Sequence, residues 1–322
     1  MATRKIGPAL AAGCTVILKP ASETPLTAYA MARLGEEAGV PAGVVNVLTT
    51  KNPSGVTNAM LADPRVRKLS FTGSTGVGRI LLAEAAKSVV SCSMELGGNA
   101  PFLVFDDADL EAALDGAMIA KMRNAGEACT AANRFYVQAG IHDAFVRGLT
   151  ARMAALKIGP GYDPATQCGP MITQNAVRKI DRLVCDAVAS GARATTGGKP
   201  VAENGYFYPP TVLENVPVDA AIAREEIFGP VAPVYKFETD DEAIRLANDT
   251  EYGLAAYVYT RDLKRAMQIG KRLETGMLGI NRGLMSDPSA PFGGVKQSGL
   301  GREGGVTGIL EFMEAKYYAI DY

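Results

Sequence analysis

The sequence predicts an α/β fold made of two domains. Short apolar runs alternate with amphipathic helical segments along the chain, and this order is typical of parallel strands connected by helices. The chain has 322 residues, of which 48% are hydrophobic and 35 are glycine. A chain of this size and composition buries a sizeable core and normally divides into two domains with turn-rich connections.

Strands and helices alternate in the first part of the chain. We predict strands at 15–18, 44–48, 68–71 and 101–105, and helices at 25–38, 77–86 and 109–122. The strand at 68–71 is followed by a glycine-rich turn and then by a helix. This arrangement is typical of a parallel, doubly wound, Rossmann-like sheet.

A second α/β set follows. We predict strands at 135–138, 231–237 and 255–259, and helices at 143–156 and 174–190. A glycine-rich return at 291–301 leads to 311–320, whose alternating pattern is typical of an edge strand. We therefore expect a first domain at 1–97, a second domain at 98–298 and a return segment with a terminal strand at 299–322.

Charge and composition favour a small-molecule partner. The 33 basic and 34 acidic residues give a formal net charge of −1 without long like-charge runs, so neither nucleic acid nor a membrane is an expected partner. Five scattered cysteines and no recognisable secretory leader fit a reducing compartment, and we expect a cytoplasmic protein without structural disulfides. The only histidine, His142, precedes a helical pattern, where a helix-start role suffices. Serine-histidine hydrolysis and histidine-rich metal sites are therefore excluded, and no metal is expected.

Two residues suggest covalent acyl chemistry. Cys129 lies among small residues in the segment 124–134, which leaves its sulfur approachable and allows backbone N–H groups to converge on an oxyanion. Glu95 is an isolated carboxylate before the glycine pair Gly97-Gly98. The alternative is structural, because most lone cysteines are inert core residues and backbone N–H groups also satisfy glutamates.

Five motifs follow the order found in the aldehyde dehydrogenase superfamily. They are Lys-Pro-Ala-Ser at 19–22, Phe-Thr-Gly-Ser at 71–74, Met-Glu-Leu-Gly-Gly at 94–98, the cysteine segment at 124–134 and Glu-Glu-Ile-Phe-Gly-Pro at 225–230. The chain resembles this superfamily from Arg4 to its C-terminus, and in its details it is similar to the NADP-type succinate-semialdehyde dehydrogenase branch. The resemblance implies that the first domain binds a nicotinamide cofactor and that the second is catalytic.

The resemblance implies a cofactor site at the glycine-rich turn. Gly73 and Ser74 lie between a strand and a helix, where the helix N-terminus favours a pyrophosphate. By itself this turn is weak evidence, because its spacing is not the usual dinucleotide fingerprint. Lys19 ends a strand, where its ammonium would bind the hydroxyls or phosphate of the adenosine ribose. A solvated lysine at a strand end is the alternative.

One residue favours NADP over NAD. Ser22 stands where family members that prefer NAD often carry a carboxylate, which repels a 2′-phosphate. We therefore expect NADP, with NAD as the alternative. The resemblance also assigns Glu226 to the nicotinamide ribose and Phe228 to the ring beside it, whereas helix capping and core packing are their structural alternatives. Further cofactor contacts are implied at Pro20, Ala21 and Leu96.

The resemblance implies a reaction and a substrate. Cys129 would attack an aldehyde, and hydride transfer to the cofactor would leave a thioester that water hydrolyses, with Glu95 as the general base. Three residues match positions that bind a substrate carboxylate, namely Arg4, Arg123 and Ser286. We therefore expect oxidation of succinate semialdehyde to succinate. Glutarate semialdehyde stays an alternative, since one methylene changes discrimination by only about 1 to 3 kcal/mol.

The sequence departs from the family pattern in two places. Ala131 stands where several relatives carry a second cysteine, so a disulfide switch with Cys129 is not expected. The family's Pro-Trp-Asn motif belongs shortly before Arg4, yet the chain begins at Met1 and has no tryptophan. We therefore expect an incomplete cofactor domain and half an oxyanion hole, a loss that commonly costs about 10²- to 10³-fold in turnover. The alternative function is a truncated, catalytically silent nucleotide-binding or subunit-interaction remnant.

The resemblance also implies a homo-oligomer, either a dimer or a tetramer. The strand at 311–320 is expected to complete the sheet of a neighbouring subunit. The oligomerisation hairpin of the first domain is expected to be incomplete. The remaining expected partner is the small aldehyde substrate.

Overall fold

The computed structural model describes residues 1–201 and 205–322, which form two compact units. The first unit comprises Met1–Leu96, Ser286–Gly293 and Gly299–Tyr322, and the second comprises Gly97–Met285 and Gly294–Ser298. Helices alternate with mainly parallel strands in each unit, which confirms the α/β class. The two units divide after Leu96, one residue before the predicted boundary at 97. Residues 286–293 were predicted to lie in the second domain, but they group with the first unit. The functions assigned to the two domains stay predictions.

Each helix and strand predicted before residue 260 has a counterpart in the structure, and further elements lie between them. The helices are α1 (Ala2–Ala11), α2 (Pro25–Glu37), α3 (Pro53–Leu61), α4 (Thr75–Ala86), α5 (Leu110–Met122), α6 (Ala139–Ala154), α7 (Gln174–Ala189), α8 (Ala221–Arg224), α9 (Asp240–Asn248) and α10 (Leu263–Arg272). The strands are β1 (Val16–Leu18), β2 (Val45–Val47), β3 (Lys68–Thr72), β4 (Ser91–Glu95), β5 (Ala100–Val104), β6 (Ala132–Gln138), β7 (Arg193–Thr196), β8 (Thr211–Glu214), β9 (Val231–Phe237), β10 (Tyr252–Gly253), β11 (Ala255–Tyr259), β12 (Met277–Ile280), β13 (Val295–Lys296) and β14 (Gly299–Leu300). Short 3-10 helices lie at Arg123–Gly126 and Val306–Phe312. None of the helices in the described part of the chain is long and apolar enough to cross a bilayer.

The first unit holds two small sheets. β1 is parallel to β2 and β3 is parallel to β4, while β14 adds an antiparallel edge to β4. Within residues 1–201 and 205–322 no strand pair joins these groups, so the single sheet expected here is present as two. Local capping fixes the starts of α3 and α4, because the side chains of Asn52 and Ser74 accept the N–H groups of Gly55 and Val77.

The second unit is built on a seven-stranded sheet. Its strand order is β12-β11-β5-β6-β9-β8-β7, and every neighbouring pair is parallel except β7 with β8. Buried aromatic rings pack on its centre: the Phe102 ring centroid lies 4.9 Å from that of Tyr259 and 5.2 Å from that of Phe135. A close-packed core of this kind gives the segments at the sheet edges a rigid base.

One prediction from the sequence is wrong. His142 does not start a helix, since α6 begins three residues earlier and the imidazole is buried within it. The edge strand at 311–320 stays a prediction, because its expected partner is a neighbouring subunit. Residues up to Phe312 belong to a 3-10 helix, and 313–320 form no ladder bonds with the described part of the chain. The Glu311 carboxylate accepts hydrogen bonds from Ser93 Oγ (2.6 Å) and Lys68 Nζ (3.0 Å), which fixes the start of the segment.

Candidate active site

Cys129 lies in a tight turn that precedes β6. The Ala131 N–H closes this turn by donating to the carbonyl three residues earlier (2.9 Å), so Cys129 and Thr130 are its central residues. Thr130 is held from two sides: the Tyr257 hydroxyl donates to its carbonyl (2.8 Å), and Arg123 Nη2 donates to its hydroxyl (3.2 Å). Cys129 is partly exposed, whereas Thr130 and Ala131 are buried. The turn therefore presents one accessible thiol on a fixed backbone.

The chain enters this turn through three consecutive left-handed residues. They are Asn124 (φ 55°), Ala125 (φ 51°) and Gly126 (φ 78°). A residue with a Cβ costs roughly 1 to 2 kcal/mol in this conformation, so the segment is strained at its first two positions. Gly126 is also required by space, because a Cβ there would lie 2.2 Å from the Gly229 carbonyl oxygen. The sharp change of direction places Cys129 directly after α5.

The neighbours of the cysteine turn come from segments that precede other strands. Gly98 lies before β5 and Glu226 lies before β9, and both strands are parallel neighbours of β6. Because the amino ends of parallel strands meet at one edge of a sheet, these segments lie together. The Gly98 N–H donates to Glu226 Oε1 (2.9 Å), and a Cβ on Gly98 would lie 2.2 Å from the Cys129 carbonyl oxygen. Gly98 therefore connects Glu226 with the cysteine turn.

A buried lysine completes this group. Lys121 is 0% exposed, and its Nζ donates to Asn133 Oδ1 (2.9 Å), while Asn133 Nδ2 donates to the Gly98 carbonyl (3.5 Å). Burial lowers the pKa of Lys121 to about 7, and the Glu226 carboxylate acts in the opposite direction. Burial also raises the pKa of Glu226, although the Gly98 N–H and the positive charges of Lys179 and Lys121 oppose this shift.

Phe228 lies in the same segment as Glu226. Its backbone is left-handed (φ 54°), and 38% of the residue is exposed. Lys179 Nζ donates to the Glu226 carbonyl (2.6 Å), which helps to fix the segment. The structure therefore places the two residues predicted to bind the nicotinamide riboside in one segment of the second unit.

Glu95 ends β4 in the first unit and is 2% exposed. Its Oε2 is buried and has no hydrogen-bond partner. Burial, and then the Glu303 carboxylate, raise the pKa of Glu95 to about 8, while the charges of Lys5, Arg302 and Arg4 oppose the shift. Lys5 and Glu303 form an ion pair of their own. Burial therefore makes the Glu95 carboxyl keep its proton to a higher pH than an exposed glutamate does.

Two of the three residues predicted to bind a substrate carboxylate lie together. Arg4 Nη2 donates to Ser286 Oγ, and the guanidinium carbon of Arg4 lies 3.9 Å from the centroid of the Phe292 ring. Arg4 Nη1 is buried and has no hydrogen-bond partner. Arg123, the third residue, is exposed, belongs to the second unit and donates to Thr130. The first unit thus offers a buried, unsatisfied guanidinium N–H group.

The predicted nucleotide-binding residues of the first unit follow strand ends. The segment 19–22 comes directly after β1, where Lys19 Nζ donates to the Pro20 carbonyl (2.8 Å) and both Ala21 and Ser22 are exposed. These positions are open to a ligand. The role of each residue stays a prediction.

The glycine-rich turn after β3 leads into α4. A Cβ on Gly73 would lie 2.4 Å from the Phe71 ring, so this position needs glycine, and Ser74 caps the helix. A Cβ on Gly76 would meet no atom within 4 Å, which leaves space beside the helix N-terminus. Leu96 is buried instead, because its side chain packs against the α4 backbone at Gly78, where a Cβ would lie 2.4 Å from it.

The motifs in the sequence assign no role to four charged or polar residues of these groups. They are Lys5, Lys121, Asn133 and Glu303. Lys121 lies on the buried face of α5, at helical spacing from Leu114 and Ala117. This spacing in the sequence indicates that Lys121 is buried. Lys5 and Glu303 are 298 positions apart, so no local pattern indicates their pairing.

Comparisons with known proteins identify the family of the chain. The sequence matches the aldehyde dehydrogenase family over residues 1–318. It is 57% identical over 320 residues to a succinate-semialdehyde dehydrogenase of Paenarthrobacter nicotinovorans, covering 99% of this chain and 71% of that protein. It is 52% identical to a glutarate-semialdehyde dehydrogenase of Pseudomonas aeruginosa, covering 99% of this chain and 66% of that protein. The crystal structure of an Escherichia coli NADP-dependent enzyme matches with a TM-score of 0.98 at 52% identity, over 100% of this chain and 66% of that one.

The chain therefore belongs to the aldehyde dehydrogenase family. Within that family it is similar to proteins that are named as semialdehyde dehydrogenases. The predicted superfamily and fold class are confirmed by these matches. The chain spans about two thirds of the length of these relatives, between 66% and 71%.

Proposed function

We propose that the chain oxidises an aldehyde that carries a carboxylate, with NADP as hydride acceptor and a thioester on Cys129 as intermediate. The preferred substrate is succinate semialdehyde, and glutarate semialdehyde is the alternative. Membership of the family and the names of the two relatives support the reaction class. NADP is preferred over NAD because Ser22 places no negative charge in its segment, and because the similar Escherichia coli enzyme is described as NADP-dependent.

The state of Glu95 carries this proposal. A carboxylate that activates water needs a pKa near the working pH, so that it both accepts a proton and releases it again. Glu95 has a pKa of about 8, and its Oε2 is buried without a partner. A glutamate of purely structural function would have its oxygens satisfied by neighbouring donors.

The charge around Arg4 supports an anionic substrate. Its buried Nη1 lacks an acceptor, and no ion pair to Arg4 is found among residues 1–201 and 205–322. A substrate carboxylate would satisfy this guanidinium together with the Ser286 hydroxyl, which already faces it. A neutral aldehyde would leave the donor as unsatisfied as it is without substrate, so it would gain nothing from Arg4.

The first unit also has features that fit a dinucleotide. The free space at Gly76 and the N-terminus of α4 suit a pyrophosphate, and the ammonium of Lys19 suits the adenosine ribose or its phosphate. In the second unit, the carboxylate of Glu226 suits ribose hydroxyls. A bound NADP would supply the hydride acceptor.

The residues of the chain would act in two steps. The sulfur of Cys129 attacks the carbonyl carbon, and a C–S bond forms as the carbonyl oxygen becomes an oxyanion. After the hydride has left this carbon, the thioester remains. Glu95 then takes a proton from water, the resulting hydroxide adds to the thioester carbon, and the C–S bond breaks to release the acid and the thiolate.

A steady-state assay tests the proposal. NADP reduction should require succinate semialdehyde, and Cys129→Ser should abolish it, whereas Cys185→Ser, at an exposed position in the second unit, should not change it. The kcat/KM values for succinate and glutarate semialdehyde decide the preferred chain length. NADP binding without any turnover would contradict the proposal and favour the catalytically silent remnant. Homo-oligomerisation and a cytoplasmic location stay predictions.

A further inference from the structure

Lys121 is an unusual residue for the core of the second unit. It lies in the last turn of α5 and is fully buried, although a lysine is rarely buried without a pairing carboxylate. Its hydrogen bond goes to Asn133 Oδ1, a neutral acceptor that is itself 1% exposed. Burying an ammonium group here costs free energy of folding. Packing alone therefore does not explain why a lysine occupies this position.

The contacts of Lys121 lead directly to the cysteine turn. Asn133 Nδ2 donates to the Gly98 carbonyl. The N–H of Gly98 donates to Glu226 Oε1. Gly98 in turn abuts the Cys129 carbonyl, where there is no room for a Cβ. Lys121 is thus joined to the cysteine backbone by one hydrogen-bonded side chain and one glycine.

The charge of Lys121 also acts on Glu226. The two groups stabilise each other's charged forms, and each of them is otherwise destabilised by burial. Lys179 contributes a second positive charge and donates to the Glu226 carbonyl from α7. Lys121 is therefore linked to both Cys129 and Glu226 through residues of the second unit.

We propose that Lys121 is a positioning residue that holds Asn133 and, through it, the Gly98 peptide against the turn carrying Cys129. Glu226 accepts the Gly98 N–H from the other side, so the same peptide is held at both of its polar ends. The kinetic consequence of this inference rests on the proposed function. The geometric part of the inference is that Lys121 supports the cysteine turn. It is tested by the reactivity of the Cys129 thiol, which does not require turnover.

Alkylation of the resting protein by iodoacetamide tests the geometric part. The variants are Lys121→Met, Asn133→Leu and the double variant, and peptide mass spectrometry follows each cysteine separately. Each single variant should slow alkylation of Cys129 threefold or more, because the turn loses the support that presents its thiol. The double variant should be no slower than the slower single variant, since both side chains act through one connection.

Two other cysteines of the second unit serve as internal controls. Cys185 is exposed and Cys168 is 1% exposed, so general loosening of the fold would increase labelling of Cys168. The proposal requires both control rates to stay within twofold of the wild-type rates. An unchanged Cys129 rate in Lys121→Met, or a double variant slowed by the product of the two single effects, would overturn it. If Lys121→Met does not fold, an unchanged Cys129 rate in Asn133→Leu overturns it equally.

The same experiment separates this inference from the proposed function. If the wild-type chain reduces no NADP and yet the Cys129 rates change as expected, the proposed reaction fails and the positioning role stands. If the chain is active, kcat should fall in Lys121→Met by at least the factor seen in alkylation, while KM for the semialdehyde stays within twofold. A loss of activity together with faster labelling of Cys168 would indicate a structural lysine.

Discussion

Gly98 lies against the backbone of Cys129 so closely that a Cβ on Gly98 would be 2.2 Å from the Cys129 carbonyl oxygen. Gly98→Ala should therefore displace the cysteine turn and destabilise the fold by about 1 to 3 kcal/mol, as overpacking of a core does. Activity should fall further than stability, because the thiol moves with the turn. Urea unfolding and NADP reduction measure the two effects. Gly169→Ala, where a Cβ would meet nothing within 4 Å, is the matched control and should have little effect.

The buried Glu95 predicts how stability depends on pH. Its pKa is raised from 4.5 to about 8, so between these values the unfolded chain releases a proton that the folded chain keeps. Stability from this group is fully present below pH 4.5 and is lost as pH rises through 8, by on the order of 5 kcal/mol. Glu95→Gln should remove this loss. Urea unfolding at both ends of this range measures it, and the exposed Glu314→Gln should keep the wild-type dependence.

The same group predicts the pH dependence of turnover. If deacylation by Glu95 limits the rate, kcat should rise with pH and level off above about 8, where the carboxylate is ionised. In Glu95→Gln a burst of NADPH equal to the enzyme concentration should precede slow turnover. Stopped-flow absorbance detects the burst. A variant with the wild-type steady-state rate would show that another group activates the water.

Arg4 predicts a charge-dependent substrate preference. Arg4→Met keeps an apolar stem against Phe292 but removes the unsatisfied guanidinium. KM for succinate semialdehyde should rise about 10- to 100-fold, because a charge-assisted hydrogen bond contributes roughly 1.5 to 3 kcal/mol. KM for butanal, which has no carboxylate, should not change. Arg33→Met, at an exposed ion pair of the same unit, is the control.

Tyr257 supports the cysteine turn through one hydrogen bond. Its hydroxyl donates to the Thr130 carbonyl, so Tyr257→Phe should cost about 1 to 2 kcal/mol of stability and reduce kcat. Tyr235→Phe provides the comparison, because the Tyr235 hydroxyl is buried and has no hydrogen-bond partner. That substitution should be neutral or stabilising. Thermal unfolding of both variants distinguishes a supporting hydroxyl from an ordinary buried one.

The sequence predicted the elements with strong periodicity well. Strands such as β9 and β11 were predicted with the bounds that the structure shows, because their apolar runs end at turns. The 3-10 helix that ends at Phe312 was not predicted, since alternation alone does not show that Glu311 is fixed by its side-chain hydrogen bonds. The very short strands β10, β13 and β14 have no recognisable pattern, as two residues define no period.

The candidate site was predictable in its motifs but not in its supporting contacts. The small-residue segment around Cys129 and the glycine pair after Glu95 are visible in the sequence. The pairing of Lys5 with Glu303 arises only in the fold, because residues from opposite ends of the chain meet in one unit. The burial of Lys121 depends on how α5 packs on the sheet, which helical spacing indicates only in part.

Covalent capture on Cys129 tests the central claim most directly. Glu95→Gln protein is mixed with NADP and succinate semialdehyde, quenched in acid during the burst and analysed by peptide mass spectrometry. We expect one succinyl group on the peptide that contains Cys129, in an amount equal to the NADPH formed. NADPH formation with an unmodified Cys129, or with the acyl group on another residue, would contradict it.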